Sequence, residues 1–365
     1  MCGRVDDNLF MVNVSPQTGS TPSSLSKAPH IIFVTPGKLG DGLISLVIAN
    51  NLVRSGYRVT VRSNVVHDLS SWFPQFQTGP EVGHGEFPDL PNACDLCVID
   101  SQAPNLQHQG IDLRPALARR AVFFSLAHYE TPLDGLFDPS TLPKNLRHRL
   151  ESLVPRHGLV RNNQMRKADM VAHALAFCRR EMGLKDTTSD IGIVAPPLTR
   201  STSQKPSQKA RIVISPTSGK VKKNWRAERF VAVAASLEKR DYEVIFAVAP
   251  SEKSEWAHHL DGRFLIADTQ GVADLAMLLT GAKAVIANDS GTAHLASALG
   301  KPVVCIISSR NRFFSWRPGW REAVLVYPRV PVRSIARLWP YFVSRSRVLR
   351  ETQNMLEQDL EMEKS

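Results

Sequence analysis

Residues 285–306 read VIANDSGTAHLASALGKPVVCI. An apolar run stops at Asp289, Ser290-Gly291 makes a turn, a helix-like TAHLASALG follows, and a second apolar run covers 301–307. Strand, helix, strand is the unit of a parallel sheet. The alternation extends upstream. Candidate strands lie at 211–215, 242–248, 264–267 and 283–288, with helical segments near 227–239, 251–260, 272–280 and 292–299. The first half has the same logic. Ile31 to Val34 forms a short apolar run, 42–55 has helical spacing closed by Gly56, and YRVTVRS alternates as a strand. LCVID at 96–100 and AVFFSL at 121–126 are further strands. The fold class is therefore α/β: two Rossmann-like, doubly wound domains, with the active site expected in the cleft between them at the carboxyl ends of the strands.

The boundaries follow composition. Residues 1–27 are rich in Ser, Thr, Pro and Asn and are expected to be disordered. Residues 28–184 form the N-terminal domain, 185–210 a Pro/Ser/Thr-rich linker, 211–330 the C-terminal domain, and 331–365 a helical tail expected to pack back across the first domain.

A chain of 365 residues suits two domains, and 43% hydrophobic with 22% charged residues is ordinary globular composition. No apolar run reaches the roughly 18–20 residues of a membrane span, and the first twenty residues lack a secretory pattern, so a cytoplasmic location is expected. Five cysteines are too few, and odd in number, for a disulfide framework. Cys94 and Cys97 form a C-x-x-C with no second ligand pair and read as small buried hydrophobes. The net charge of +11 favours anionic partners. Nucleic acid is disfavoured, because the basic residues are scattered and no recognition motif accompanies them.

Three loops could carry chemistry. Asp289 ends a strand, and the helix after Ser290-Gly291 would aim its free N–H groups into the cleft, where they suit phosphate. A helix cap explains Asp or Ser there equally well, and His294 could be a packed polar residue. ISPTSGKVKKNW after 211–215 offers the Thr217 and Ser218 hydroxyls and the amines of Lys220, Lys222 and Lys223. It is not a Walker loop and could be a solvated basic loop. TPGKLGDGLIS offers Gly40 and Gly42 as exposed backbone and Asp41 as a general base, or as an N-cap. The glycine spacing fails the dinucleotide fingerprint.

Together these loops resemble glycosyltransferase family 9, the lipopolysaccharide heptosyltransferases. That family has a GT-B fold, an Asp-(Ser/Thr)-Gly-x-x-His motif in its second domain and a Leu-Gly-Asp in its first. Here these read Asp289, Ser290, Gly291 and His294, and Leu39-Gly40-Asp41. The resemblance implies that Asp41 is the base, that Lys223 stabilises the leaving diphosphate, and that Thr217, Ser218, Asp289, Ser290, Gly291 and His294 hold the donor. It also places an acidic residue, Glu252 or Glu255, on the nucleotide. The implied reaction is inverting transfer of a sugar, heptose from ADP-heptose above all, to a lipopolysaccharide-core or related acceptor. No cofactor or metal is implied. Partners would be the nucleotide sugar and an anionic glycan or glycolipid, with basic segments such as 144–166 and 310–321 meeting the inner membrane surface. The sequence departs from the family after 301–307, where SSRNRFFSWRPGW replaces a Phe-Gly-Pro-Thr type loop. Alternatives are a related transferase acting on a protein or another glycan, an inactive nucleotide-sugar-binding protein, an epimerase, and, last, a Rossmann oxidoreductase.

Overall fold

A computed structural model of the chain describes residues 28–127, 135–197, 209–308, 314–321, 323–329 and 333–364. The 1–27 segment, part of the expected linker (198–208) and part of the unusual loop (309–313) lie outside these described residues.

The first half runs β1 (His30–Val34), α1 (Leu39–Arg54), β2 (Arg58–Arg62), α2 (Asn64–Asp68), β3 (Gln77–Gly79), β4 (Leu96–Asp100), a two-residue ribbon β5 (Gln107–His108) and β6 (Ile111–Asp112), α3 (Arg114–Leu117), β7 (Ala121–Phe124), α4 (Arg147–Glu151) and α5 (Met170–Arg180). The second runs β8 (Arg211–Ser215), α6 (Ala227–Glu238), β9 (Glu243–Phe246), α7 (Lys253–Leu260), β10 (Leu265–Ile266), α8 (Val272–Thr280), β11 (Ala284–Asn288), α9 (Gly291–Ala298), β12 (Val303–Ile306), β13 (Val324–Val326) and α10 (Arg345–Lys364). The sheets are ordered β3-β2-β1-β4-β7 and β10-β9-β8-β11-β12-β13. Every pairing within them is parallel. Both therefore have the Rossmann order, as read from the sequence. In each the direction of winding reverses beside its first strand, between β1 and β4 and between β8 and β11, and that crevice is where such sheets bind ligands.

Helix α1 explains how the halves meet. Its sequence LGDGLISLVIANNLVR is apolar almost all round, and Gly42 through Leu52 are buried. An all-round apolar helix must be covered on both sides. Here the first sheet covers one side, and α5 and α9 cover the other. Phe33, Leu43 and Val47 from the first half share one apolar cluster with Ala287, Ala293, Leu295 and Cys305 from the second. At about 1.5–3 kcal/mol for each large side chain buried, this seam is a main source of stability and not a casual contact.

Two boundaries differ in detail from the reading of the sequence. The described start of the linker is fastened to the first half: Asn51 pairs with the Thr188 backbone in both directions (2.8 and 2.9 Å), and Asn50 and Gln75 hold Asp190 O and Ile191 O. The tail covers the second half, not the first. Val348, Leu349, Met355 and Leu356 of α10 pack with Phe230 and Val326, and Asp359 receives Arg321 and Lys283. An amphipathic stripe states that a helix has a partner without saying which one. Cys97 is buried in β4 and Cys94 half-buried, both as free thiols with their sulfurs 3.3 Å apart.

Candidate active site

The three loops converge. The β1–α1, β8–α6 and β11–α9 connections line one cleft of about 990 Å³, together with Glu252 after β9, Thr269 to Val272 after β10, and Phe314 and Trp316 after β12. Of the residues named from the sequence, Gly40, Asp41, Thr217, Ser218, Lys223, Glu252, Asp289, Ser290, Gly291 and His294 line it. Gly42 does not. It sits inside α1, buried, where an added Cβ would find only ordinary contacts, so its backbone is not presented to the cleft.

Asp289 and Ser290 turn out not to be a cap. The Ser290 backbone is the extended N-cap of α9, but its side chain accepts nothing from the helix, and its Oγ is buried without a partner. The Asp289 carboxylate turns instead to Lys223, with Nζ 2.6 Å from Oδ2. Among the described residues the first-turn N–H groups of α9 therefore have no capping side chain, the arrangement that receives an anion. Lys223 is partly exposed and Asp289 nearly covered. The pair thus places a positioned cation at the mouth of the helix.

The β8–α6 loop is tied from below by Asn288, a residue the sequence reading passed over. It is fully buried; its amide donates to Pro216 O and its carbonyl accepts from Trp225 N at 3.1 Å. A polar residue closing the otherwise apolar strand AVIAN (Ala284–Asn288) was the signal. Within the loop, Ser218 Oγ lies 2.7 Å from Asn224 Oδ1 and 3.0 Å from Lys220 O. Both are acceptors, so its one proton is spent inside the loop, leaving only its lone pairs for a ligand. Thr217 faces the cleft.

Across the cleft, Asp41 is the third residue of α1, not its N-cap, which is Lys38. Its carboxyl is half-buried and makes no hydrogen bond or ion pair among the described residues. Burial raises its pKa, the nearby charges of Lys38 and Lys223 oppose the rise, and Asp289 adds to it. A carboxylate made more basic yet left unpaired is fit to accept a proton. Behind it, Asp100 ends β4 with one oxygen accepting Gln102 N at 2.7 Å and the other buried near Leu126 N, with no well-formed hydrogen bond among the described residues; burial lifts its pKa to about 7 against the pull of these two backbone N–H groups. Asp100 too was not singled out from the sequence.

The seam between α1 and α9 is closed by glycine on both sides. A Cβ on Gly291 would stand 2.7 Å from Leu39 Cβ, and one on Gly40 would stand 2.9 Å from His294 Cδ2. Both positions require glycine for close approach. His294 is accordingly walled in, edge-on to Trp320 (6.4 Å between centroids), with Nδ1 unpartnered among the described residues. Burial lowers its pKa, so the ring is held neutral. Glu252 accepts Ala249 N at 3.0 Å and faces the cleft, whereas Glu255 is exposed on α7 beside His259. The loop that departs from the family pattern reaches back to the first half: Met170 N donates to Ser315 O, Arg317 to Lys167 O, and Trp320 Nε1 to Ser189 O. Among the described residues, no group of three or more His, Cys, Asp or Glu is placed to hold a metal ion.

Comparison with known proteins bears out the family resemblance. Residues 150–321 match the family model described as glycosyltransferase family 9 (heptosyltransferase). Lipopolysaccharide heptosyltransferase 3 of Escherichia coli K12 is 28% identical over 134 residues, 33% of this chain and 38% of that protein; the chain thus spans little more than a third of the relative's length. Two solved structures share the fold over nearly the whole chain. E. coli ADP-heptose LPS heptosyltransferase II has a TM-score of 0.61 at 16% identity, covering 90% of this chain and 99% of that one. E. coli heptosyltransferase WaaC with ADP has 0.63 at 15%, covering 89% and 99%. The architecture is thus GT-B, and the chain is family-9-like. The matched stretch 150–321 contains the β8–α6 and β11–α9 loops but not the Asp41 loop.

Proposed function

We propose that this protein is an inverting glycosyltransferase that moves heptose from ADP-heptose to a hydroxyl of a lipopolysaccharide-core or related anionic glycan. The observation that supports it best is the meeting of an unpaired carboxyl, Asp41, from one half with the Lys223–Asp289 pair and the open N-terminus of α9 from the other. The similarity to heptosyltransferases supports the choice of sugar and nucleotide.

In the proposed reaction Asp41 takes the proton of the acceptor hydroxyl, and the oxygen attacks the anomeric carbon from the face opposite the diphosphate. The bond from that carbon to the diphosphate oxygen breaks, and the pair of electrons leaves with ADP. Lys223, the Thr217 hydroxyl and the α9 N–H groups meet the charge that develops there, where preorganised donors act most strongly. Ser218, Ser290 and Gly291 shape that pocket, Glu252 reaches the nucleoside, and Asp289 keeps Lys223 in place. Neutral His294 contacts phosphate or sugar as a hydrogen-bond partner and not as a charge. The positive charge comes from protein groups, so transfer is expected to survive a chelator. The acceptor would be an anionic glycolipid at the inner membrane surface, met by exposed cations of 144–166 such as Lys144, Arg149 and Arg156.

The test is a thermal-shift panel with ADP, UDP, GDP, NAD and ADP-heptose on wild type and Lys223→Ala. A ligand at a hundred times its Kd stabilises by about 2.7 kcal/mol. A shift with ADP and ADP-heptose, lost in the variant, supports the reading. A shift with UDP or GDP instead overturns the heptose assignment, and binding with no transfer to any glycan or protein acceptor would make the chain an inactive binder.

A further inference from the structure

Eight large apolar side chains are well exposed among the described residues, and four of them belong to one place: Val221 (85% exposed), Leu338 (44%), Tyr341 (52%) and Phe342 (39%). The contacts beneath them bring together the two segments that carry them. The short helix Val221–Lys223 and the 3₁₀ segment Arg333–Phe342 are bolted together: Trp339 Nε1 donates to Lys222 O at 3.0 Å and Trp225 Nε1 to Pro340 O at 3.1 Å. Arg229 donates to Tyr341 O at 3.3 Å, and the Arg226 guanidinium lies 4.3 Å from the centre of the Tyr341 ring. In a helix of three residues per turn Leu338 and Tyr341 share an edge; Trp339 and Val343 are buried anchors, and Phe342, one turn after Trp339, lies at the border of the face with 39% of its surface exposed.

The rim of this face is cationic. Lys220, Lys222 and Arg345 are exposed beside it, and among the described residues Arg226 is the one of these charges with an acidic partner close by, Glu228 at 2.7 Å. Aromatic and aliphatic side chains ringed by Lys and Arg are the chemistry of a surface that enters the headgroup layer of an anionic bilayer. For a protein partner the aromatic rings and arginines would suit, but the lysines that flank Val221 would not, since lysine is depleted in protein interfaces. A small anion would use the cations and waste the apolar side chains. The 144–166 segment differs: it has cations, but Leu150, Leu153 and Val160 are buried, so it can attract a membrane without entering it.

We infer that the face formed by Val221, Leu338, Tyr341 and Phe342 is a docking surface for an anionic lipid bilayer, and that docking there sets the mouth of the cleft beside the membrane. The cleft mouth is brought to the membrane by Lys220 and Lys223, which belong to the same turn as Val221 and line the cleft. The inference goes beyond the proposed reaction and does not depend on the identity of the sugar. A lipid-linked acceptor could then reach Asp41 without leaving its bilayer.

The experiment is co-sedimentation of the full chain with vesicles of phosphatidylglycerol and phosphatidylcholine in equal parts, and with phosphatidylcholine alone. Binding is expected to the first only and should weaken as salt is raised. The double variant Val221→Asp/Phe342→Asp should lower partitioning about tenfold or more, and Lys222→Glu at least about fivefold for the charge removed. Ile111→Asp, at a site 57% exposed elsewhere, should change nothing. Circular dichroism checks the fold of each variant. If the double variant does not fold, Lys222→Glu and the salt dependence of the wild type still decide the matter. Wild type that binds neither vesicle overturns the inference. So does an equal loss in Ile111→Asp, or a double variant whose defect is a change in sedimentation mass, which would assign the face to a second copy of the chain. None of these outcomes touches the ADP thermal shift, so the two readings fail separately.

Discussion

Gly291→Ala is the sharpest perturbation of the seam. The new Cβ would lie 2.7 Å from Leu39 Cβ, 3.0 Å from its Cγ and 3.1 Å from Cδ2. Carbon atoms settle at about 3.5–4.0 Å, so α1 and α9 must part by about 1 Å. Rotating Leu39 cannot relieve the shortest contact, because its Cβ is fixed to the helix. Overpacking of this kind costs about 1–3 kcal/mol, and in a chain this size each kcal/mol is worth about 2 °C or less of melting temperature. The functional effect should be lopsided. ADP would be held by groups of the second half, so its affinity should change little. In the proposed mechanism Asp41 must face the donor across the parted seam, and a displacement of about 1 Å can lower a rate by about a hundredfold. Calorimetric titration with ADP and a radiolabelled heptose-transfer assay read the two effects. Adding Leu39→Ala should recover only part of the lost stability, since it leaves the 2.7 Å contact in place, whereas Leu39→Gly removes all three. A Gly291→Ala protein that melts and turns over like wild type would falsify the account of the seam.

Asp41→Asn should lower transfer by about 10²–10⁴ while ADP binding persists; the wild-type rate should fall on the acid side around a pKa above that of an ordinary aspartate, because burial favours its neutral form. Asp100 gives a stability signature. Its pKa rises on folding from 3.8 to about 7. The stability it contributes is therefore complete below about pH 4, falls by up to about 1.4 kcal/mol per pH unit as pH rises towards 7, and is gone above. Asp100→Asn should flatten that slope in melts compared at pH 5 and pH 7, and identical slopes would count against the buried carboxyl. Asn288→Ala leaves Pro216 O and Trp225 N without partners, at about 1–3 kcal/mol each, and should weaken ADP binding by loosening the Lys223 loop; unchanged melting and unchanged affinity would show that the loop holds itself.

Most of the architecture was readable because parallel strands buried on both faces write themselves as short apolar runs. RIVIS, KAVIAN and KPVVCII could hardly be anything else, and the chemistry had to follow them, because the carboxyl ends of such strands are where loops face a ligand. Strands β3 and β13 escaped notice for the opposite reason. With three residues each at the sheet edges, they have no period to detect. Asp41, Lys223 and Asp289 were legible as residue types in loops, but their pairing was not: only the structure shows that Asp289 serves Lys223 and not the helix. Asn288 and Asp100 were missed because a single polar residue at a strand end looks like the start of a loop until burial is known. Gly40 and Gly291 were noticed for their backbones, yet what each excludes is a side chain from the other half of the molecule.

That last point bears on how such a chain can be altered by recombination. Two Rossmann-like halves joined by a short segment invite the exchange of one half for another with a different nucleotide or sugar. Here the shared surface argues otherwise. The buried outer face of α1 is complementary to α9, with Leu39 set against Gly291 and Gly40 against His294. A transplanted donor half would have to bring the surface of its own α9 into register with this α1, or accept a parted cleft. The unit of exchange is therefore not the domain but the domain together with the helix it leans on.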